Sequence, residues 1–123
     1  MRCSINGIYL GDSARSTRES RGHIPEGLSF CKEARVQRIL GKNCLVGELS
    51  LQEGTPLSLV YETLGLPDVS IEDWAASGIR PPDSAGSQMM TYSFRGCILN
   101  IYSDDQKRCT MFGLGVPARE VPD

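Results

Sequence analysis

The chain has 123 residues, 40% of them hydrophobic and 23% charged, with a formal net charge of −2. That is one ordinary globular domain with enough chain for a single core. The near-balance of charge excludes a general nucleic-acid or membrane-surface binder, no stretch approaches the roughly 20 apolar residues of a membrane span, and a single histidine excludes metal sites and catalytic dyads that need two.

Residues 4–10 hold Ile5, Ile8 and Leu10 among β-friendly neighbours and stop at Gly11-Asp12, which predicts a short strand. Residues 11–29 are rich in Gly, Ser, Arg and Pro and lack periodicity. They predict a long polar loop with one helical turn around 14–20. Residues 30–40 do not alternate, and their Lys, Glu, Ala, Arg and Gln content predicts a helix closed by Gly41. Residues 44–51 read as a strand or an extended lead-in.

The clearest local signal follows. Thr55 at the N-cap and Pro56 at N1 open a helix. Leu57, Val60, Tyr61 and Leu64 share one face, and Gly65 with Pro67 end it, so residues 56–64 are predicted as a short amphipathic helix. Ser70 caps a brief turn through Glu72, Asp73 and Trp74, and Pro81-Pro82-Asp83 forbids regular helix beyond it. Residues 89–94, 97–102 and 107–114 are joined by turns at Arg95-Gly96 and Asp104-Asp105-Gln106, which predicts an antiparallel meander. The tail 116–123, with two prolines and three charges, is predicted to be loosely ordered. The sum is a single α+β domain: an antiparallel β-meander with one or two short helices packed on one face. Residues 7–13 also resemble residues 47–55, a faint internal repeat.

The five cysteines, Cys3, Cys31, Cys44, Cys97 and Cys109, form no CxxC pair and no zinc spacing. They read as reduced thiols, several of them small core hydrophobes. Cys31, beside Lys32, is the mild candidate for redox chemistry. The first seven residues carry no apolar run, so no secretory signal is expected and the expected compartment is the cytoplasm.

Charge is not spread evenly. Residues 1–42 carry eight bases and four acids, residues 43–83 carry seven acids and one base, and the remainder is neutral. The acids Glu62, Asp68, Glu72 and Asp73 surround Trp74, the sole tryptophan. An acidic face of this kind meets a basic partner, and charge complementarity there sets encounter rate and specificity. Trp is enriched among interface hot spots, and also serves as a core anchor over a sheet. Arg15, Arg18 and Arg21 recur at spacing three, which would put them on one side of a helix and offer phosphate contacts. No aromatic residue accompanies them, so the stacking platform of a single-strand binder is missing. His23 lies in a loop without a carboxylate to orient it, and reads as a surface residue. Gly113-Leu114-Gly115-Val116 lacks the third glycine and following helix of a phosphate loop.

The run Leu49-Ser50-Leu51-Gln52-Glu53-Gly54-Thr55-Pro56-Leu57, then Val60 and Leu64-Gly65-Leu66-Pro67, carries a resemblance. It is similar to the strand, helix, Leu-Gly-x-Pro and β-meander layout of the outer-membrane assembly lipoproteins and the β-lactamase inhibitor proteins. The resemblance spans residues 47–114. It implies a binding scaffold without catalysis, in which short helices pack on an antiparallel sheet. Cys3 follows no apolar run, so the chain departs from the lipid-anchored members.

These observations lead to a first expectation of a non-enzymatic protein-binding domain. In its most concrete form it is a cytosolic bacterial immunity protein that inhibits a cognate basic toxin, as in contact-dependent inhibition. The contact face would comprise Glu62, Asp68, Glu72, Asp73 and Trp74. No catalytic residue, cofactor or metal is expected, and neither a membrane, a nucleic acid nor a small molecule is the expected partner. The rivals are a small nucleic-acid-binding module or RNA-processing enzyme using the arginine loop, and a subunit or chaperone of a larger assembly.

Overall fold

A computed structural model describes residues 2–117. The α+β class is as the sequence predicts, with eight strands in two antiparallel sheets and three short helices. In chain order these are β1 (Cys3–Ile5), α1 (Ala14–Arg21), β2 (Leu28–Phe30), β3 (Val36–Gly41), β4 (Asn43–Val46), β5 (Leu49–Gln52), α2 (Leu57–Leu64), α3 (Ile71–Ser77), β6 (Gln88–Phe94), β7 (Cys97–Ser103) and β8 (Cys109–Gly115). The small sheet runs β1-β4-β5 and the large one β2-β3-β8-β7-β6. The main core joins residues of both sheets and α2: Ile5, Ile8, Val36, Ile39, Val46, Leu51, Leu57, Val60, Leu99, Ile101, Phe112 and Leu114 are all buried there.

The predicted meander is β6-β7-β8, paired in sequence order. The predicted strand at 4–10 is shorter than expected. It stops at Ile5 because Asn6 and Gly7 both take positive φ and turn the chain back, so that Ile5 and Ile8 face each other. The predicted loop at 11–29 contains a full helix, capped by the Ser13 hydroxyl accepting from the Ser16 N–H.

The helix expected over 30–40 is a correction. Those residues form the β2–β3 hairpin, because Val36 and Ile39 turn into the core while Ala34, at φ 56°, closes a tight turn onto Cys31. Burial of two β-branched residues outweighs the helix propensity of their charged neighbours. A second correction concerns α2. Pro56 is its N-cap, without a side-chain hydrogen bond, while Thr55 Oγ1 accepts from the Gln52 N–H at 3.1 Å and tightens the turn before it. Ser70 does cap α3, in a reciprocal capping box with Asp73. Of the predicted loose tail, Val116 is half-buried, Pro117 is buried, and 118–123 lie outside the described residues.

The faint repeat proves to be structural and extends through most of the fold. The Gly11 N–H donates to Val36 O and the Val36 N–H to Asp12 O; in the second half Gly54 donates to Cys109 O and Cys109 to Thr55 O. Tyr9 N–H donates to the Asp12 carboxylate as Gln52 N–H does to the Thr55 hydroxyl. Ala34 and Lys107 are the matching positive-φ residues of matching turns, closed onto Cys31 and Asp104. Leu28–Phe30 pairs with β3, and residues 101–103 pair with β8, in the same register with the same bulge. The two halves meet about a pseudo-two-fold axis. It passes through the Leu40–Gly113 pair in the large sheet and the Ser4–Leu45 pair in the small one, where Ile39–Leu114 mirrors Gly41–Phe112 and Cys3–Val46 mirrors Ile5–Cys44.

The halves also differ. The core face of α2 (Leu57, Val60, Tyr61, Leu64) corresponds in α1 to Ala14, Thr17, Arg18 and Arg21, so α1 buries Thr17 alone. The first half has no counterpart to α3 or β6, and to β5 only the Ile5–Ile8 bridge. Accordingly Tyr102 and Met111, which belong to the apolar cluster that Trp74 of α3 joins, are replaced in the first half by the exposed Ser29 and Arg38.

Tyr92 of β6 ties the meander to α2 by donating its hydroxyl hydrogen to Gly65 O at 2.7 Å. Burial first, then the neighbouring Tyr61 and Asp68, push this phenol up to about 12. The neutral phenol is therefore the form the fold prefers. Its contribution is complete below the unfolded value near 10 and is lost as pH rises to about 12. The thermal midpoint is expected to fall across that alkaline window, and Tyr92→Phe to flatten the fall. An unchanged slope in the variant would reassign it to other groups.

Candidate functional site

Two clefts stand out on the described surface. The larger, about 600 Å³, lies between α3, the 78–88 segment and β6. Its apolar wall is Ile71, Trp74, Ala75 and Ile79, and its polar lining includes Arg80, Asp83 and Asp105. The helical spacing of 71, 74, 75 and 78 points one stripe of α3 into the cleft. Ile79, just past the helix, is 56% exposed.

The opposite wall is held rigidly. Ala85 is fully buried and its carbonyl accepts from the Thr110 hydroxyl, while the Ser87 N–H donates to Ser103 O. Gly86 sits at φ 122°, and a Cβ there would come within 2.7 Å of Ser103 O, so only glycine fits this close approach. Ser87 in turn donates to the Asp105 carboxylate at 2.7 Å.

Trp74 forms part of this floor. Its indole N–H donates to Thr91 Oγ1 at 2.9 Å, and Thr91 donates onward to Asn100 Oδ1 at 2.6 Å. The ring packs against the buried cluster of Ala85, Met89 and Tyr102, which Leu40 and Met111 also flank. One edge is covered as an anchor and the other lines the cleft.

The structure divides the predicted acidic face into two kinds of residue. Asp68 accepts from the Ser93 N–H at 2.7 Å and pins the α2–α3 connection to β6. Asp73 accepts from the Ser70 N–H in the capping box. Both carboxylates are committed to backbone. Glu62 and Glu72 are exposed and make no ion pair among the described residues. Glu72 lies close enough to Tyr61 to help raise its phenol, after burial. Sequence reasoning missed Ile79 and Asp105. An isolated apolar residue in the Pro/Gly/Ser segment was the available signal for the first. The second lies in the predicted turn between β7 and β8, but no local pattern places that turn at the cleft.

The arginines of α1 do not converge. Arg15 pairs with Glu19 at 3.2 Å, and Arg21 donates to Asn6 O. Arg18 remains exposed. His23 is exposed in the loop after α1.

The cysteines behave as packing groups. Cys3, Cys44, Cys97 and Cys109 are buried. Burial pushes the Cys44 thiol up to about 12 and Cys109 to about 11, and a hydrogen bond with Cys97 together with burial raises Cys3. Protonated thiols are poor nucleophiles and metal ligands. Cys31 is half-buried in the β2–β3 turn, where it holds the Glu33 carboxyl below its usual range by a hydrogen bond. Among the described residues no group of three or more His, Cys, Asp or Glu is arranged to hold a metal, and no helix is long and apolar enough to cross a membrane.

No protein-family model, no curated protein and no solved structure matches the chain.

Proposed function

We propose that the chain is a non-enzymatic protein-binding domain that captures a basic partner in the α3 cleft. The observation that carries this reading is the cleft's chemistry. An apolar wall with Trp74 and the exposed Ile79 is lined further by Asp83 and Asp105, with Arg80 as the one lining base, and α3 itself carries the exposed Glu72. Interface cores favour such aromatic anchors, and a charged rim selects the partner. In its most concrete form the domain is a cytoplasmic immunity protein that neutralises a basic toxin. The excess of seven acids over one base in residues 43–83 supports that form.

Asp68 and Asp73 are unsuitable for testing the face, since both hold the fold. The discriminating variant is Glu62→Lys with Glu72→Lys, which changes charge at exposed positions. Capture of the basic partner from native lysate by the full chain should weaken more than ~tenfold. Undiminished capture would place the face elsewhere. For the immunity form, the captured protein expressed alone should arrest growth, and coexpression of the chain should restore it. Growth unaffected by the captured protein would remove that form.

A further inference from the structure

Every strand of the first half has a counterpart in the second, β1 in β4, β2 in β7 and β3 in β8, and the large sheet differs at one edge. In the second half β7 carries β6 on its outer side, with Met90 beside Ile101, Met89 beside Tyr102 and Gln88 beside Ser103. The counterparts of those β7 residues are Leu28, Ser29 and Phe30 of β2. Nothing corresponding to β6 lies beside them, because residues 22–27 are all that join α1 to β2, whereas 65–96 join α2 to β7. β2 therefore ends the large sheet.

The ladder fixes what that edge offers. The Leu40 N–H donates to Gly27 O at 2.9 Å, so the alternation of an antiparallel pair turns the N–H and C=O of Leu28 outward. No described strand pairs with that side. Leu28 and Phe30 are half-buried against the main core, so a neighbouring strand would extend an apolar layer already begun.

Charge selects the occupant. Residues 14–38 hold six bases, Arg15, Arg18, Arg21, Lys32, Arg35 and Arg38, against three acids. Arg18, Lys32 and Arg38 are exposed and make no ion pair among the described residues, and Arg38 stands directly opposite Ser29. A second copy pairing β2 to β2 would set this basic surface against itself. The same charges that discourage self-association attract an acidic strand.

We propose that the β2 edge takes an extended acidic segment of a partner protein as an added antiparallel strand, seated as β6 is seated on β7. The counterpart of the seat itself specifies the segment. The residue beside Leu28 turns toward the core, as the fully buried Met90 does, and is apolar. The residue beside Ser29 lies on the face of Arg38 and is acidic. Backbone hydrogen bonds supply affinity and the alternating side chains supply selectivity.

The test uses the full chain and a terminally blocked octapeptide of alternating Glu and Val, with an alternating Lys and Val octapeptide as control. Hydrogen exchange at the Leu28 amide should slow by at least ~tenfold with the Glu/Val peptide and not with the control. Arg38→Glu and, separately, Lys32→Glu should each weaken peptide binding several-fold, with the exchange pattern of the core strands unchanged. The proposal is overturned by a Leu28 amide already protected without peptide, since the edge would then be covered by the chain itself. Binding that leaves Leu28 exchange unchanged, equal binding of the Lys/Val peptide, no binding at all, or a β2-paired dimer of the chain would each overturn it as well.

Discussion

Phe112→Ala is expected to remove a large share of the domain's stability. Phe112 is fully buried in β8, facing Ile101 of β7 and Gly41 of β3, next to the pseudo-two-fold axis. It is the largest side chain in the core that is wholly excluded from water. Removing the ring forfeits its transfer free energy and leaves a cavity between two sheets whose strands cannot close inward, at a cost of about 3–5 kcal/mol. A domain of this size commonly has only about 5–15 kcal/mol in total. Because both halves pack against this residue, the loss is felt across the fold. Urea denaturation followed by circular dichroism measures it through a fall in midpoint at constant slope. Leu66→Ala supplies the contrast, since Leu66 is 86% exposed and its removal should change stability by less than about 0.5 kcal/mol. Equal losses for the two variants would contradict this placement of the core.

Legibility in the sequence followed the range of the interactions. The meander and α2 were readable because their signals are local: alternation, tight turns, and an apolar face closed by Gly65. The Ser70 cap was readable for the same reason, although a brief turn was expected where the structure has the seven-residue α3 with a reciprocal capping box. Residues 30–40 misled because the hairpin is stabilised across the sheet. Ile39 is buried by Leu28 and Leu114, neither of which is near it in the chain. The repeat could have corrected that reading. Asp104-Asp105-Gln106 was recognised as a turn, and Cys31-Lys32-Glu33-Ala34 takes the hydrogen-bonding pattern of Asp104–Lys107 with a sequence that does not advertise it. Within the site, acidic clustering was visible but division of labour was not. Whether a carboxylate caps a helix or faces solvent depends on partners such as Ser93, distant in the chain from Asp68.

Trp74→Ala is the second substitution expected to have a large effect, and it separates anchor from contact. The indole joins α3 to the outer face of β6 and β7 through the Thr91–Asn100 relay and the cluster around Tyr102. Its loss removes ring packing and one hydrogen bond together. The destabilisation should fall toward the lower end of about 3–5 kcal/mol, because the ring is only half-buried. Trp74→Phe keeps most of the packing but leaves the Thr91 hydroxyl without its donor, at about 1–3 kcal/mol. Chemical denaturation of both variants orders them. Partner capture then gives the second axis. If the cleft is the contact face, Trp74→Ala loses both stability and capture, whereas Glu62→Lys with Glu72→Lys loses capture alone. The acidic pair acts on the partner, while the tryptophan acts on the partner and on the helix that presents it. Trp74→Ala that is destabilised yet captures as well as the parent chain would mark the indole as an anchor only and move the contact face off α3.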